Sequence, residues 1–457
     1  MREGIGRAVS CAEVLRSRAA GLRARSLEQR VEGLAAFGAY WSAPMADAER
    51  VDRVGRVARS CGLHPRMVAV TVAHLARQLS ASGLRQWVRL ELGRGLERPL
   101  ESLATAEHAV ERALVPPELV VQVLPGTVPA LVLEGVVEAL LIGAAVLLRP
   151  GFGAEDGVRA LVEPLAVCAP ELADAVEVLH WPSGEDAVTR EVFARADAVV
   201  AWGSDASVEA VRRLCPGSGT RFRGHGSRVS FAVLGPAEEG VGSAVGRLAR
   251  ALALDASLLD QRGCMSPQTV FVHRGAAVAL EDLADALATE GFPAWEQRLP
   301  RGVLAPETAS AVMQLRGASE FLGCARTGAS FTVILHETCE AHLAPPARLL
   351  HLVPWETSAE LERALRPWRG RMSTCGLVSG PSCRAQLLPL LARLGVGRVC
   401  PWGRMQRPVL LRDHDGRPRL SELVRYLDVE GGPVSVALDP VVEDPARSDL
   451  PGGSGAR

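Results

Sequence analysis

The sequence predicts an α/β protein: two α/β domains placed behind an N-terminal helical segment. Three observations predict it. Residues 1–95 interleave Arg and Glu with Leu, Val and Ala at three- and four-residue spacing, the period of amphipathic helices. From Glu118 onward, short β-branched runs alternate with helical stretches, the signature of a parallel sheet. A second set of such runs follows Cys264.

In chain order, the strand candidates of the first set are LVVQVLP (119–125), AAVLLRP (144–150), AVEVLH (175–180), DAVVAW (197–202) and RVSFAVLG (228–235). After Cys264 come TVFVHR, a helix over 278–289, FTVILHE, LLHLVPW, a helix over 358–365, STCGLVSG and a helix over 384–394. This divides the chain into a helical segment (1–95), a first α/β domain (96–257), a second α/β domain with the C-terminal return (258–438) and a tail (439–457) rich in Gly, Pro, Ser and Asp. That tail composition cannot bury enough apolar surface to order itself.

Composition excludes several classes. The 51 basic residues are all Arg and stand against 52 acidic ones, a net charge of -1, so there is no global field for nucleic acid or an anionic membrane. The absence of Lys removes Schiff-base chemistry and the phosphate-loop lysine. The ten cysteines form no CxxC pair, which points away from a zinc ribbon or a disulfide framework and toward a reducing, cytoplasmic compartment. The N-terminus lacks the apolar run of a signal peptide. The most apolar stretch, 131–148, carries Glu134 and Glu138 one turn apart and a break at Gly143, so it reads as a helix and then a strand, not as a membrane span.

Candidate chemistry centres on Cys264, in a Gly-Cys-Met-Ser-Pro turn between a helix and a strand. A thiol at such a bend can meet a substrate carbonyl, and nearby backbone N–H groups can lower its pKa from ~8.5 and hold an oxyanion. A buried small hydrophobe is the alternative reading of any lone cysteine. The unit LPGTVPA, with Thr127 in its turn, followed by GAAVLLRPG can place a phosphate or ribose beside Arg149 and Pro150 at a strand's carboxyl end. Arg149 reads equally as a solvated strand-end charge. Gly203 and Ser204 precede a helix beginning near Ala206, which fits a pyrophosphate or an ordinary N-cap. His336, His342 and His351 show no spacing that predicts a metal site.

These segments, with FRGHGSRVSFAVLG, LLDQRGCMSPQ, GVGRVCPWGRMQRP and HDGRPRLSELVRYLD, resemble the LuxC-like acyl-CoA reductases, fatty-acid reductases of the aldehyde dehydrogenase superfamily, over roughly 96–430. The resemblance implies an aldehyde dehydrogenase-like fold with a nicotinamide-binding domain and a catalytic domain. It implies Cys264 as nucleophile, NADPH as the cofactor with NADH as the alternative, and a long-chain acyl thioester carried on CoA or a carrier protein and reduced to a fatty aldehyde. Oligomers and acyl-transfer partner proteins go with it.

Two departures bear on mechanism. The oxyanion-binding Asn of those relatives is Thr127 here, whose hydroxyl still donates one hydrogen bond. The Glu that activates water in aldehyde-oxidising relatives is missing from RGHGSRVSF, which favours reduction. His225 stands in its neighbourhood, as a base for Cys264 or as a histidine bonded to backbone in a Gly-rich turn. The rival readings are an aldehyde dehydrogenase making acids and a catalytically degenerate scaffold subunit of an acyl-transfer complex.

Overall fold

The computed structural model describes residues 2–430 apart from 46, 98–100, 103–109, 218 and 239–243. The expected tail, 439–457, lies outside the described residues. Five helices open the chain: α1 (Arg2–Arg23), α2 (Leu27–Ser42), α3 (Ala48–Cys61), α4 (Pro65–Ala76) and α5 (Ala81–Leu92). Side-chain caps set the starts of α2 to α5, with Ser26 and Gln29 forming a reciprocal capping box on α2 and Asp47 capping α3. The helices do not stand apart as a separate cap. α1 packs on the first sheet and α2 on a helix of the first α/β set, and one apolar core runs through both.

Two short strands come next, β1 (Glu101–Ser102) and β2 (Val110–Val115). The first main sheet holds β3 (Leu119–Val123), β4 (Ala145–Arg149), β5 (Val176–Val178), β6 (Ala198–Trp202) and β7 (Arg221–His225), in the order β5-β4-β3-β6-β7 and wholly parallel. The second has seven strands in the order β10-β11-β12-β9-β8-β13-β14, built from β8 (Val229–Leu234), β9 (Pro267–His273), β10 (Ala325–Thr327), β11 (Thr332–Leu335), β12 (Leu349–Trp355), β13 (Met372–Val378) and β14 (Arg398–Cys400). β15 (Arg425–Glu430) returns to pair antiparallel with β2. Between β3 and β4 runs α6 (Ala130–Ile142), closed by Gly143 in the left-handed region at φ 86°. The apolar stretch 131–148 is thus a helix and a strand, and among the described residues no helix is long and apolar enough to cross a membrane.

Two differences from the sequence reading have physical causes. β8, grouped above with the first α/β domain, belongs to the second sheet, so the sheets change over at 226–228 and not near 257. Its six residues are all buried, as are those of β3 and β6, and burial alone does not say which sheet a strand joins. β7 was not expected as a strand at all. Its sequence RFRGH buries Arg223 and His225, and such a strand is tolerable only because charged partners arrive from elsewhere in the chain.

Those partners form a buried ionic network. Glu134 and Glu138 on α6 are 6% and 1% exposed. Arg223 reaches Glu138 at 2.5 Å, Arg419 reaches Glu134 at 3.3 Å and Glu138 at 3.7 Å, and Arg412 reaches Glu134 at 3.4 Å. Arg419 also lies 4.0 Å over the Trp87 ring and donates to the Leu410 carbonyl at 2.5 Å. Burial alone would push the Glu134 carboxyl up; Arg412, His414 and Arg419 outweigh it and hold it below the usual carboxylate range. Removing one partner of such a network leaves an uncompensated buried charge. Arg419→Ala is therefore expected to lower unfolding free energy by about 3–5 kcal/mol in a urea titration, and a loss under about 1 kcal/mol, the worth of a surface pair, would show that the network does not hold the C-terminal return.

Candidate active site

The turn that presents Cys264 is built from three consecutive non-glycine residues in the left-handed region: Leu259 (φ 56°), Asp260 (φ 49°) and Gln261 (φ 63°). Each costs of order 1–2 kcal/mol, and each polar side chain in the run is tied down. Asp260, fully buried, accepts from Arg348 Nε at 3.0 Å and from its terminal nitrogen at 2.6 Å, and also from Gly302 N at 2.8 Å. Gln261 donates to the carbonyls of Pro267 and Leu349 and accepts from Leu349 N at 2.7 Å. Arg262 donates to the carbonyls of Cys61 and Val303 at 2.7 and 2.8 Å, joining the turn to the end of α3. A Cβ at Gly263 would meet the Gln406 amide, with Nε2 at 2.6 Å, so any side chain there would have to displace it. Ser230 on β8 donates to the Cys264 carbonyl at 2.7 Å, fixing the residue that the turn delivers.

Cys264 is half-buried and lines a cavity of about 500 Å³ between the two sheets. Of the sequence candidates, Thr127, Gly203, Ser204, His225 and Cys264 share that cavity. Arg149 and Pro150 do not line it. They sit at the carboxyl end of β4, where Arg149 donates to the Trp181 carbonyl at 3.1 Å, lies 5.0 Å over the Trp181 ring and keeps a buried Nε without a partner. Ser204 is the N-cap of the helix Asp205–Leu214, accepting from Ser207 N at 3.1 Å, and Gly203 N donates to the His225 carbonyl.

His225 is stacked on Trp202 with centroids 3.8 Å apart, and its Nδ1 pairs with Asp415 Oδ2 at 3.2 Å. Its Nε2 is buried and has no partner. Burial lowers its pKa to about 3, only partly offset by the Asp415 bond, so the ring is neutral at pH 7. Neutral imidazole bonded through Nδ1–H to a carboxylate leaves the Nε2 lone pair open. Asp415 also pairs with Arg228 at 3.2 Å; burial pushes its carboxyl up, but His225, His414 and Arg228 outweigh this and hold it below the usual range. The Cys264 thiol is raised to about 11, first by burial and then by the Asp415 charge.

Asp415, Arg228 and Trp202 were not among the sequence candidates. Asp415 lies 190 positions from the histidine it orients, and only the fold brings them together. Ligand atoms of His336, His342 and His351 all lie within 4.8 Å of one another, as do those of His225, His414 and Asp415, a proximity that spacing along the chain does not encode.

Against solved structures, the chain superposes with a TM-score of 0.69 on a putative aldehyde dehydrogenase from Burkholderia cenocepacia, at 16% identity over 94% of this chain and 91% of that one. An NAD-dependent benzaldehyde dehydrogenase from Corynebacterium glutamicum gives 0.68 at 14% identity over 94% and 90%. Proline utilization A gives 0.69 at 14% identity, and there the chain covers 93% of itself but 45% of the other protein. The fold is thus aldehyde dehydrogenase-like. No curated protein matches the sequence significantly. The family model described as acyl-CoA reductase (LuxC) matches residues 22–426, and the chain belongs to that family.

The arrangement makes a pH signature. With the imidazole near 3 and the thiol near 11, both groups are neutral across the range between. If His225 takes the thiol proton, alkylation of Cys264 by iodoacetamide is flat from about pH 5 to 9, whereas His225→Gln makes it climb about tenfold per pH unit. A wild-type profile with that same slope would deny His225 the role of base.

Proposed function

We propose that this protein reduces an acyl thioester, on CoA or a carrier protein, to an aldehyde through an acyl-enzyme on Cys264, with NADPH as reductant. One observation carries the reading: a single cavity is lined by Cys264, by the paired His225 and Asp415 and by the turns that follow β3 and β6. Strand order reverses between β3 and β6, and the crevice beyond the carboxyl ends of strands at such a switch point is where open α/β sheets take nucleotides. The residues present fit a nicotinamide cofactor on that ground: Gly203 and Ser204 at the helix N-terminus would meet its pyrophosphate and Thr127 would flank its reacting end, while Arg149, with an unpartnered buried Nε, would meet an anionic group beside β4. When bound, that group supplies hydride to the acyl carbon.

The protein's own part is proton movement and positioning. The Cys264 proton passes to His225 Nε2 as sulfur bonds to the thioester carbonyl, and Asp415 stabilises the imidazolium. The C–S bond of the donor breaks, and His225 returns the proton to the departing thiolate. The oxyanion is held by backbone N–H at Cys264 and by the Thr127 hydroxyl. Aldehyde release restores the Cys264 thiolate, which is reprotonated from water. A pair this weakly basic is poorly matched to activating water, so the acyl-enzyme waits for hydride. A cytoplasmic, reducing setting suits a mechanism that depends on a free thiol, and all ten cysteines are unpaired.

Cys264→Ala is expected to abolish both acyl labelling and aldehyde formation from acyl-CoA and NADPH, with the fold retained by circular dichroism. Turnover surviving in that variant, or acid as the wild-type product, would reject the mechanism. For the cofactor, Arg149→Ala should raise the KM for NADPH about ten- to hundredfold, the worth of a hydrogen bond to a charged group, and leave NADH use within about twofold. Equal use of both cofactors by the wild type would remove the assignment to NADPH.

A further inference from the structure

We propose that His336, His342 and His351 form a binding site for a divalent transition ion of the zinc class, separate from the catalytic cysteine. The three arrive from different places in the second sheet: His351 lies within β12, His336 just after β11, and His342 on the connection between those strands. His336 and His342 stack with centroids 3.8 Å apart and 13° between planes. His336 Nε2 meets His351 Nδ1 at 2.9 Å. The Nε2 atoms of His342 and His351 are both buried without a hydrogen-bond partner.

Three imidazoles crowded together make a poor hydrogen-bonding cluster, since one proton can be shared between His336 and His351 while two buried ring nitrogens stay unsatisfied. Each neutral imidazole carries one ring nitrogen with a lone pair to offer. A metal ion resolves the conflict by accepting those lone pairs. Ligand atoms within 4.8 Å of one another need move only on the order of 1 Å to reach Zn–N distances of about 2.0–2.1 Å. An all-imidazole set with no carboxylate favours zinc-class ions over magnesium or calcium, and three protein ligands leave a fourth position for water.

The site is wired to the cavity wall. Thr269 Oγ1 accepts from His342 N at 2.9 Å and donates to the His342 carbonyl at 2.7 Å, and Gln268 accepts from Ala344 N at 3.1 Å. Gln268, Ala344 and Pro346 line the catalytic cavity, so an ion on His342 braces one of its walls. The inference does not rest on the proposed reaction, and its test needs no turnover.

Cobalt(II) titrated into the metal-free protein should bind at one equivalent with visible d–d bands and without a thiolate charge-transfer band. Zinc should compete for the same site, raise the unfolding midpoint and shield His336 and His342 from carbethoxylation. His336→Gln and His342→Gln, both at half-buried positions, should weaken binding at least about a hundredfold while matching the wild type's unfolding midpoint in chelator. His225→Gln should bind normally. Lack of saturable binding by the wild type, binding that survives His342→Gln, binding lost in His225→Gln, or a thiolate charge-transfer band would each overturn the site; if a histidine variant fails to fold, the wild-type shielding pattern decides.

Discussion

Two carboxylates inside α6 set the constraint on which the molecule depends. Glu134 and Glu138 project from a helix whose other residues from Val132 to Ile142 are buried. Desolvating an ionised carboxylate costs several kcal/mol even after relaxation, so the helix can pack only if cations come to it. They come from two distant places, Arg223 on β7 and Arg412 and Arg419 near the chain's end. That requirement draws the 405–424 segment back across the first sheet and lets β7 join a sheet its own composition would refuse. It also delivers Asp415 and His414 to the side of His225, because both lie between the two arginines that α6 holds.

The second constraint is local strain at the thiol. Leu259, Asp260 and Gln261 accept a left-handed path because Asp260 is clamped by Arg348, itself left-handed at φ 60°, and because Gln261 serves as a surrogate strand end for Pro267 and Leu349. The free energy stored in this backbone is offset by fixed polar contacts deep in the second sheet, and the outcome is a sulfur held at a bend with its carbonyl pinned by Ser230. The DQRGC segment is thus accounted for letter by letter, as clamp, clamp, anchor to α3, close-approach glycine and thiol.

Much of the architecture was legible because its signals are local. Leu119–Val123, Ala145–Arg149 and Ala198–Trp202 are short apolar runs between turn residues, and Ser204 before Asp205 is a helix start that any reader of caps can place. The candidates Cys264, Gly203 and Ser204 stood out as turn residues beside strands and helices, Thr127 and His225 through the resemblance to the acyl-CoA reductases, and all five share one cavity. What escaped was every feature whose cause is non-local. β7 reads as polar unless Glu138 and Asp415 are known to face it. β8 has the same pattern whichever sheet it joins. Asp415 is one acid in a polar stretch, and the convergence of His336, His342 and His351 depends on β11 and β12 being parallel neighbours, which spacing along the chain does not encode.

In the proposed mechanism Cys264 is the nucleophile, and the electrostatics of the cavity bear on how it would act. Many reactive cysteines are activated in advance, by a cation or helix N-terminus that lowers the thiol toward neutrality. Here the opposite holds: burial and Asp415 raise Cys264 to about 11, and burial lowers His225 to about 3, so the resting pair is uncharged. Separating that charge in a low-dielectric cleft is costly, and in the proposed mechanism the cost is offset as the attacked carbonyl oxygen takes up the negative charge and Asp415 faces the new imidazolium. A neutral thiol is also a slow target for oxidants, since oxidation follows thiolate character. On the proposed mechanism the thiol would therefore react only once a carbonyl is seated against it, which would tie its reactivity to the presence of substrate.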